Sequence, residues 1–140
     1  MSYYVLDTDS IGFATQFHPP MMQHIQSLAP EDEVVTTIIT FGEDLSGWLP
    51  ACRRAPSGAA RAQAYMRLID GLRFYRQIDC LPFEATAATI FEQLRPLKNR
   101  IGTNDLSIAA TVLAVNGILI TRNVRDFQQV PDLIIQDWTK

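Results

Sequence analysis

The sequence predicts an α/β fold, with a mainly parallel central sheet of about four or five strands and helices on both faces. Short apolar runs of β-prone residues recur along the chain, and helical periodicity fills the stretches between them. Strands alternating with helices in this way form crossover units, which place helices on both sides of a parallel sheet. The 140 residues suffice for one domain spanning 1 to 140, and are too few for two of ordinary size. Hydrophobic residues make up 47% and charged ones 19%, with the seven Gly and eight Pro dispersed. That excludes a disordered or low-complexity chain.

Tyr3-Tyr4-Val5-Leu6 reads as the first strand, ended by Asp7-Thr8-Asp9-Ser10, a sequence able to cap the start of a helix. His18-Pro19-Pro20 precedes a helix predicted from about Met21 to Leu28, and the acidic turn from Pro30 to Glu33 leads into a second strand, Val34 to Thr37. Apolar residues at helical spacing predict helices from Thr40 to about Ala51 and from Ala59 to about Arg76, split by Pro56-Ser57-Gly58. Ile78 to Leu81 is the third strand. Pro82-Phe83-Glu84 opens a helix to about Leu94, before Pro96. Thr103 or Asn104 is placed to cap the next helix, Asp105 to Val115, which is apolar almost all round and should lie buried. Asn116-Gly117 stops it. Ile118-Leu119-Ile120 reads as a buried strand and Leu133-Ile134-Ile135 as an edge-like last one. In such sheets the working crevice lies outside the carboxyl ends of the strands.

Charge is unevenly spread. The net value is −3 and the pI about 5.2, so bulk charge does not attract nucleic acid. Residues 1 to 52 carry seven acids and no Lys or Arg, residues 53 to 100 nine bases against four acids, and residues 101 to 140 three bases against four acids. Cys52 and Cys80, with His18 and His24, have no zinc-ligand spacing, and both thiols are expected to be reduced and structural. No apolar run approaches the about 18 residues of a membrane span, and the chain starts directly on strand-like residues. A cytoplasmic protein without membrane association is the expectation.

The informative acids stand where a charge is hard to justify structurally. Asp7 and Asp9 are the only acidic residues among the first 30, and Asp105 is the only charged residue between Arg100 and Arg122. A carboxylate so embedded must be paired or bind a cation, because burying it alone costs several kcal/mol. Helix capping would also account for Asp7 and Asp9, and the helix dipole for Asp105. Glu43 follows the second strand and Asp126 the strand at Ile118 to Ile120, so both can reach the crevice beside Asp7. Taken alone, Glu43 reads more readily as a solvated or dipole-favoured glutamate, and it gains weight because the acids converge. Carboxylates without His, Cys or Lys among them suit Mg²⁺, or Mn²⁺ in its place, since these hard ions prefer oxygen ligands.

The order of motifs resembles the PIN-domain ribonucleases and, within them, the VapC-type toxins of bacterial toxin–antitoxin pairs. Val5-Leu6-Asp7-Thr8-Asp9 is similar to the family's hydrophobic-Leu-Asp-Thr-Asn opening, with Asp9 in place of Asn. Thr40-Phe41-Gly42-Glu43 followed by Gly47 is similar to its Thr-x-x-Glu element. Asn104 to Ala110, and then Ile120 to Pro131, resemble its Asn-Asp-x-x-Ile-Ala-Ala and Thr-Arg-Asn-x-x-Asp-Phe-x-x-Val-Pro signatures. The resemblance covers nearly the whole chain and implies a PIN-like three-layer fold. It makes Asp7, Glu43 and Asp105 the principal metal-site acids, and puts Asp126, ahead of Asn123, in the fourth place as a catalytic residue.

What the resemblance implies is metal-assisted hydrolysis of RNA phosphodiesters by water, leaving 5′-phosphate and 3′-hydroxyl ends. Thr8, Asp9, Thr121 and Asn123 are auxiliary candidates. Arg122 and Arg125 are candidates for substrate contact, with Arg53, Arg54, Arg61, Arg67, Arg73, Arg76, Arg95, Lys98 and Arg100 as a wider basic surface. A cognate antitoxin and a homodimer follow from the same resemblance. Two other readings use the same residues. One is a catalytically inactive PIN-like binding protein. The other is a haloacid-dehalogenase-type phosphatase with Asp7 as nucleophile and Asp9 as general acid, for which Lys98 lies too close to Asp105.

Overall fold

The computed structural model describes residues 1–140. Five strands, β1 (Tyr3–Leu6), β2 (Glu33–Thr37), β3 (Cys80–Leu81), β4 (Ile118–Ile120) and β5 (Ile134–Gln136), form one sheet in the order β3-β2-β1-β4-β5. Every pairing is parallel, and the register sets Val5 beside Val35 and Leu119, and Leu6 beside Ile120. Seven helices connect the strands: α1 (Thr8–Thr15), α2 (Pro19–Gln26), α3 (Ile38–Arg54), α4 (Gly58–Tyr75), α5 (Ala85–Leu94), α6 (Thr103–Ala114) and the short α7 (Val124–Phe127).

Side chains alternate across a strand, so each strand feeds two cores. Val5, Val35 and Leu119 face Ala109, Ala110 and Val112 of α6, together with Leu94 of α5. Leu6 and Ile120 point the other way, to Ile11 of α1, Met21 of α2 and Trp138. The alternation explains why these strands are apolar at successive positions: both faces are covered, as a fully buried parallel sheet requires. The α6 helix is buried from Leu106 to Val112, in keeping with its nearly uniform apolarity.

Several boundaries differ from those the sequence predicts. The α2 helix begins at Pro19, since proline is pre-shaped for the first helical turn, where its missing N–H is not needed. The α3 helix begins at Ile38, because Thr37 is its N-cap and its hydroxyl accepts from the Thr40 N–H at 3.0 Å. It continues through Pro50 to Arg54. Packing on α4 offsets the lost hydrogen bond: Cys52 is buried, and Arg61 Nη1 donates to the Cys52 carbonyl at 3.0 Å. The β3 strand is two residues long, because Ile78 packs into the core around Met21 instead of pairing in the sheet.

Gly102, and neither Thr103 nor Asn104, caps α6, without a side-chain bond. At the other end of that helix Asn116 takes the left-handed turn, with φ 52°. Gly117 serves a different need there. A Cβ on it would lie 3.2 Å from the Tyr3 carbonyl oxygen, so its bare Cα lets the turn pass close over β1. Both cysteines are free, and no helix is long and apolar enough to cross a membrane.

Candidate active site

From β1 the chain runs outward to β2 and β3, then returns to β4 on the other side of β1. The connections therefore part above the carboxyl ends of β1 and β4, and a crevice opens there. Asp7, Thr8, Asp9, Glu43, Asp105, Asn123 and Phe127 line a cleft of about 200 Å³ at this place.

Asp7 is the first residue beyond β1, and its N–H donates to the Ile120 carbonyl at 3.1 Å, one strand away. Its Oδ1 accepts from the Ser10 N–H at 2.9 Å and so caps α1. Capping and a place in the cleft are thus compatible for one carboxylate. Only 7% of Asp7 is exposed. Burial raises its carboxyl above the usual range, against the hydrogen bonds of Thr121 and Ser10, which favour the charge. Ser10 also donates from its hydroxyl to the Ile120 carbonyl at 2.9 Å, fastening α1 to the end of β4. Sequence reasoning missed Ser10 as part of the site, although its spacing of three from the Asp7 cap was a readable signal.

Glu43, in the second turn of α3, accepts a 2.6 Å hydrogen bond on Oε1 from the Thr8 hydroxyl. Asp105, in the first turn of α6, is pushed up to about 6, first by burial and then by the negative charges of Glu43, Asp7, Asp126 and Asp9. No cation opposes them, since the one ion pair of the protein is the surface contact between Arg95 and Glu92. This cluster of acids is electrostatically incomplete.

The structure separates the two residues proposed for the fourth place. Asn123 lines the cleft, whereas Asp126 stands behind it and accepts from Asn123 Nδ2 at 3.0 Å. Thr121 is wholly buried, and its hydroxyl accepts from the Asn123 N–H at 2.9 Å. Neither candidate substrate arginine lines the cleft. Arg122 lies over the Phe13 ring, 5.5 Å from its centroid, and Arg125 is exposed on α7. A second pair was invisible in the sequence: Tyr75 of α4 donates to Asp44 Oδ2 at 2.5 Å across 31 residues, holding α4 to α3 at the residue that follows Glu43.

The carboxylates share one cleft without closing into a cage, for no three acidic groups are gathered tightly enough to hold an ion directly. Glu43 is turned to Thr8, and mutual repulsion disfavours closer approach. The donor set, all carboxylate, amide and hydroxyl oxygen, nevertheless fits a hard divalent cation that keeps much of its water. Nitrogen and sulfur ligands, which softer metals prefer, do not line the cleft.

The profile of the family described as the PIN domain matches residues 4–133. The chain is 36% identical over 138 residues to Ribonuclease VapC1 of Haemophilus influenzae, covering 98% of each. It is 25% identical over 138 residues to Ribonuclease VapC2 of Rickettsia felis, again covering 98% of each. Among solved structures it is similar to VapBC-1 from nontypeable Haemophilus influenzae, with a TM-score of 0.79, 29% identity and 99% coverage of both chains. It is also similar to VapBC2 from Rickettsia felis bound to a DNA fragment from their promoter, with a TM-score of 0.75, 26% identity and 97% and 98% coverage.

Proposed function

This chain belongs to the PIN-domain family, and on that premise we propose that it is a Mg²⁺-dependent endoribonuclease, the toxin of a toxin–antitoxin pair. The observation that carries the reading is the uncompensated meeting of Asp7, Glu43 and Asp105 on one cleft, where burial first and then the neighbouring acids raise the Asp105 carboxyl. Such a cluster is stabilised by a cation, and an RNA phosphodiester approaches it only when its charge is offset.

Asp7 and Asp105 would hold the cation, with Glu43 and the Asn123 carbonyl oxygen completing or orienting the oxygen set. When bound, Mg²⁺, or Mn²⁺ in its place, supplies the charge that activates water for attack and stabilises the phosphate and the leaving oxygen. The chain's own groups set the geometry. Ser10 and Thr121 fix Asp7, the Thr8 hydroxyl turns Glu43, and Asp126 orients the Asn123 amide. Asp9 stands exposed at the rim and adds negative charge, and the buried Phe127 forms an apolar floor. Arg53 and Arg54 on α3, Arg67 and Arg73 on α4, and Arg76 just beyond it are exposed and available to the RNA backbone.

The likeness to VapBC complexes supports a small antitoxin protein as partner. Tyr65, Met66, Ile69 and Leu72 leave apolar surface exposed on α4, as a chain with protein partners does, whether antitoxin or a second copy in a homodimer. Asp7 and Asp9 line the cleft, but no lysine does, and the phosphatase reading needs one to neutralise a phosphoryl intermediate. Incubation of the purified protein with total RNA, with Mg²⁺ and with excess EDTA, followed by mapping of the ends, tests the proposal. Mg²⁺-dependent cuts with 5′-phosphate and 3′-hydroxyl ends are expected. Phosphate release from a simple monoester without RNA cutting would overturn it.

A further inference from the structure

Beside the acidic cleft lies a larger groove, about 800 Å³, bounded by α1, α3 and α4. Thr8 lines both, so the two are continuous at the residue that holds Glu43. We propose that this groove is a stacking site for one unpaired nucleobase of the RNA, a few nucleotides from the scissile phosphodiester; the proposal rests on the nuclease reading above.

Phe17 is the first observation. It follows the end of α1, where its N–H and that of His18 close back on the Ala14 and Phe13 carbonyls. Its φ is 55°, in the left-handed region that suits glycine at such a helix end. A phenylalanine there is strained, and 75% of it is exposed. Packing therefore does not explain the ring. It stands on the edge of the groove, where a ligand could use its face.

The part of the groove lined by α3 and α4 is aromatic and fixed. The Trp48 indole lies on the bare Cα of Gly71, where a Cβ would collide with the ring. Tyr75 is held by its hydrogen bond to Asp44 and by edge contact with Phe41. Rigid aromatic faces suit a flat base at low entropic cost, and a base stacks without regard to its sequence. Exposed Arg67 and Asp70 line the same groove. The guanidinium can donate to base oxygens or a phosphate, and the carboxylate can accept from an exocyclic amine. Continuity with the cleft favours a substrate nucleotide as occupant, since an RNA strand with its phosphate at the acids can pass Thr8 and run along α1 to Phe17, about 12 Å on.

An oligoribonucleotide that the protein cuts is compared with a set of the same oligomer, each made abasic at one of the first three nucleotides on either side of the cut, using wild type, Phe17→Gly and Phe17→Leu. Wild type should lose about tenfold in kcat/KM on one of the abasic oligomers. Phe17→Gly should show that loss, mainly as a higher KM, on the intact oligomer and none further on the abasic one. It should also melt no lower than wild type, because glycine relieves the left-handed strain. Phe17→Leu, which keeps bulk without a ring face, should behave like Phe17→Gly in cutting. Unchanged cutting by Phe17→Gly, or losses that multiply between variant and abasic site, would overturn the proposal. Unchanged cutting with weakened inhibition by the antitoxin would also overturn it and assign the groove to the protein partner. If wild type cuts no RNA at all, the nuclease reading itself fails, and this one with it.

Discussion

Asn123 Nδ2 donates to Asp126 Oδ2 at 3.0 Å, and only the asparagine lines the cleft. The two positions act as one unit, with the carboxylate fixing which face of the amide is turned to the site. Asn123→Ala and Asp126→Ala should each reduce Mg²⁺-dependent RNA cutting by about 10- to 100-fold, the scale on which groups supporting a metal site act. The double variant should be no slower than the slower single one. Initial rates at saturating Mg²⁺ measure this, and multiplicative losses would show that the two act independently.

Asp7→Asn and Asp105→Asn remove charge at the centre of the cleft. Cutting should fall by about 100- to 1,000-fold in either variant, the scale on which an electrostatic group in a site acts. Asn can still accept the Ser10 N–H at position 7, so circular dichroism should remain native-like, and metal-free melting at pH 7 should be no lower than that of the wild type. Undiminished cleavage by either variant removes the metal-site reading.

The raised Asp105 carboxyl links stability to pH. Its folded value of about 6 stands above the 3.8 it has without the protein's influence. The folded state therefore binds a proton that the unfolded state has released, and the stabilisation is fully present below about pH 4 and lost as pH rises through 6. Asp7 and Asp44 are raised as well and act in the same sense. Asp137 is lowered, so its contribution is already complete above pH 5 and leaves the window from 5 to 7 unaffected. The metal-free protein should melt at a higher temperature at pH 5 than at pH 7, and millimolar Mg²⁺ should raise the pH 7 value. Scanning fluorimetry in EDTA and in Mg²⁺ gives both curves; a metal-free melting temperature that rises from pH 5 to 7 would contradict the cluster of repelling acids.

Gly71 seats the Trp48 indole where a Cβ would collide with it. The nearest atoms belong to a bulky ring in the α3–α4 contact, so the ring must move. Gly71→Ala should destabilise the protein by about 1–3 kcal/mol despite alanine's better helix propensity. Urea unfolding with an unchanged slope is the measurement, and a gain in stability would show that Trp48 is free to shift.

Thr8 ties Glu43 to α1 across 35 residues. Thr8→Val keeps the shape and removes the donor, and should raise the Mg²⁺ concentration needed for half-maximal cutting by about tenfold, with little change in melting. Titration of cutting against Mg²⁺ reads it; an unaltered midpoint would mean that Glu43 needs no holding.

Much of the site was legible because the acids sit in apolar surroundings. Asp7 after Leu6, and Asp105 before Leu106, are charges embedded in runs that must be buried, and that contradiction is visible in one dimension. Asn123 against Asp126 was not, because the two are three residues apart and a helical turn decides which faces inward. Arg122 reads as a site residue from its position after β4, yet its guanidinium has an aromatic ring to lie on, Phe13. Tyr75 and Asp44 carry no local signal of their pairing, which exists only because α4 folds back along α3.

By itself the sequence determined the alternation of strands and helices, the buried α6 and the set of acids, because periodicity and misplaced charge are local properties. Only the tertiary structure decided the strand order, and with it the crevice between β1 and β4 where Asp7, Glu43 and Asp105 meet. It also decided that the acids stop short of a closed cage and that Phe17 stands strained at the edge of an aromatic groove. These depend on which elements pack together, and packing is settled by the burial of both sheet faces at once, a condition that no single stretch of the chain contains.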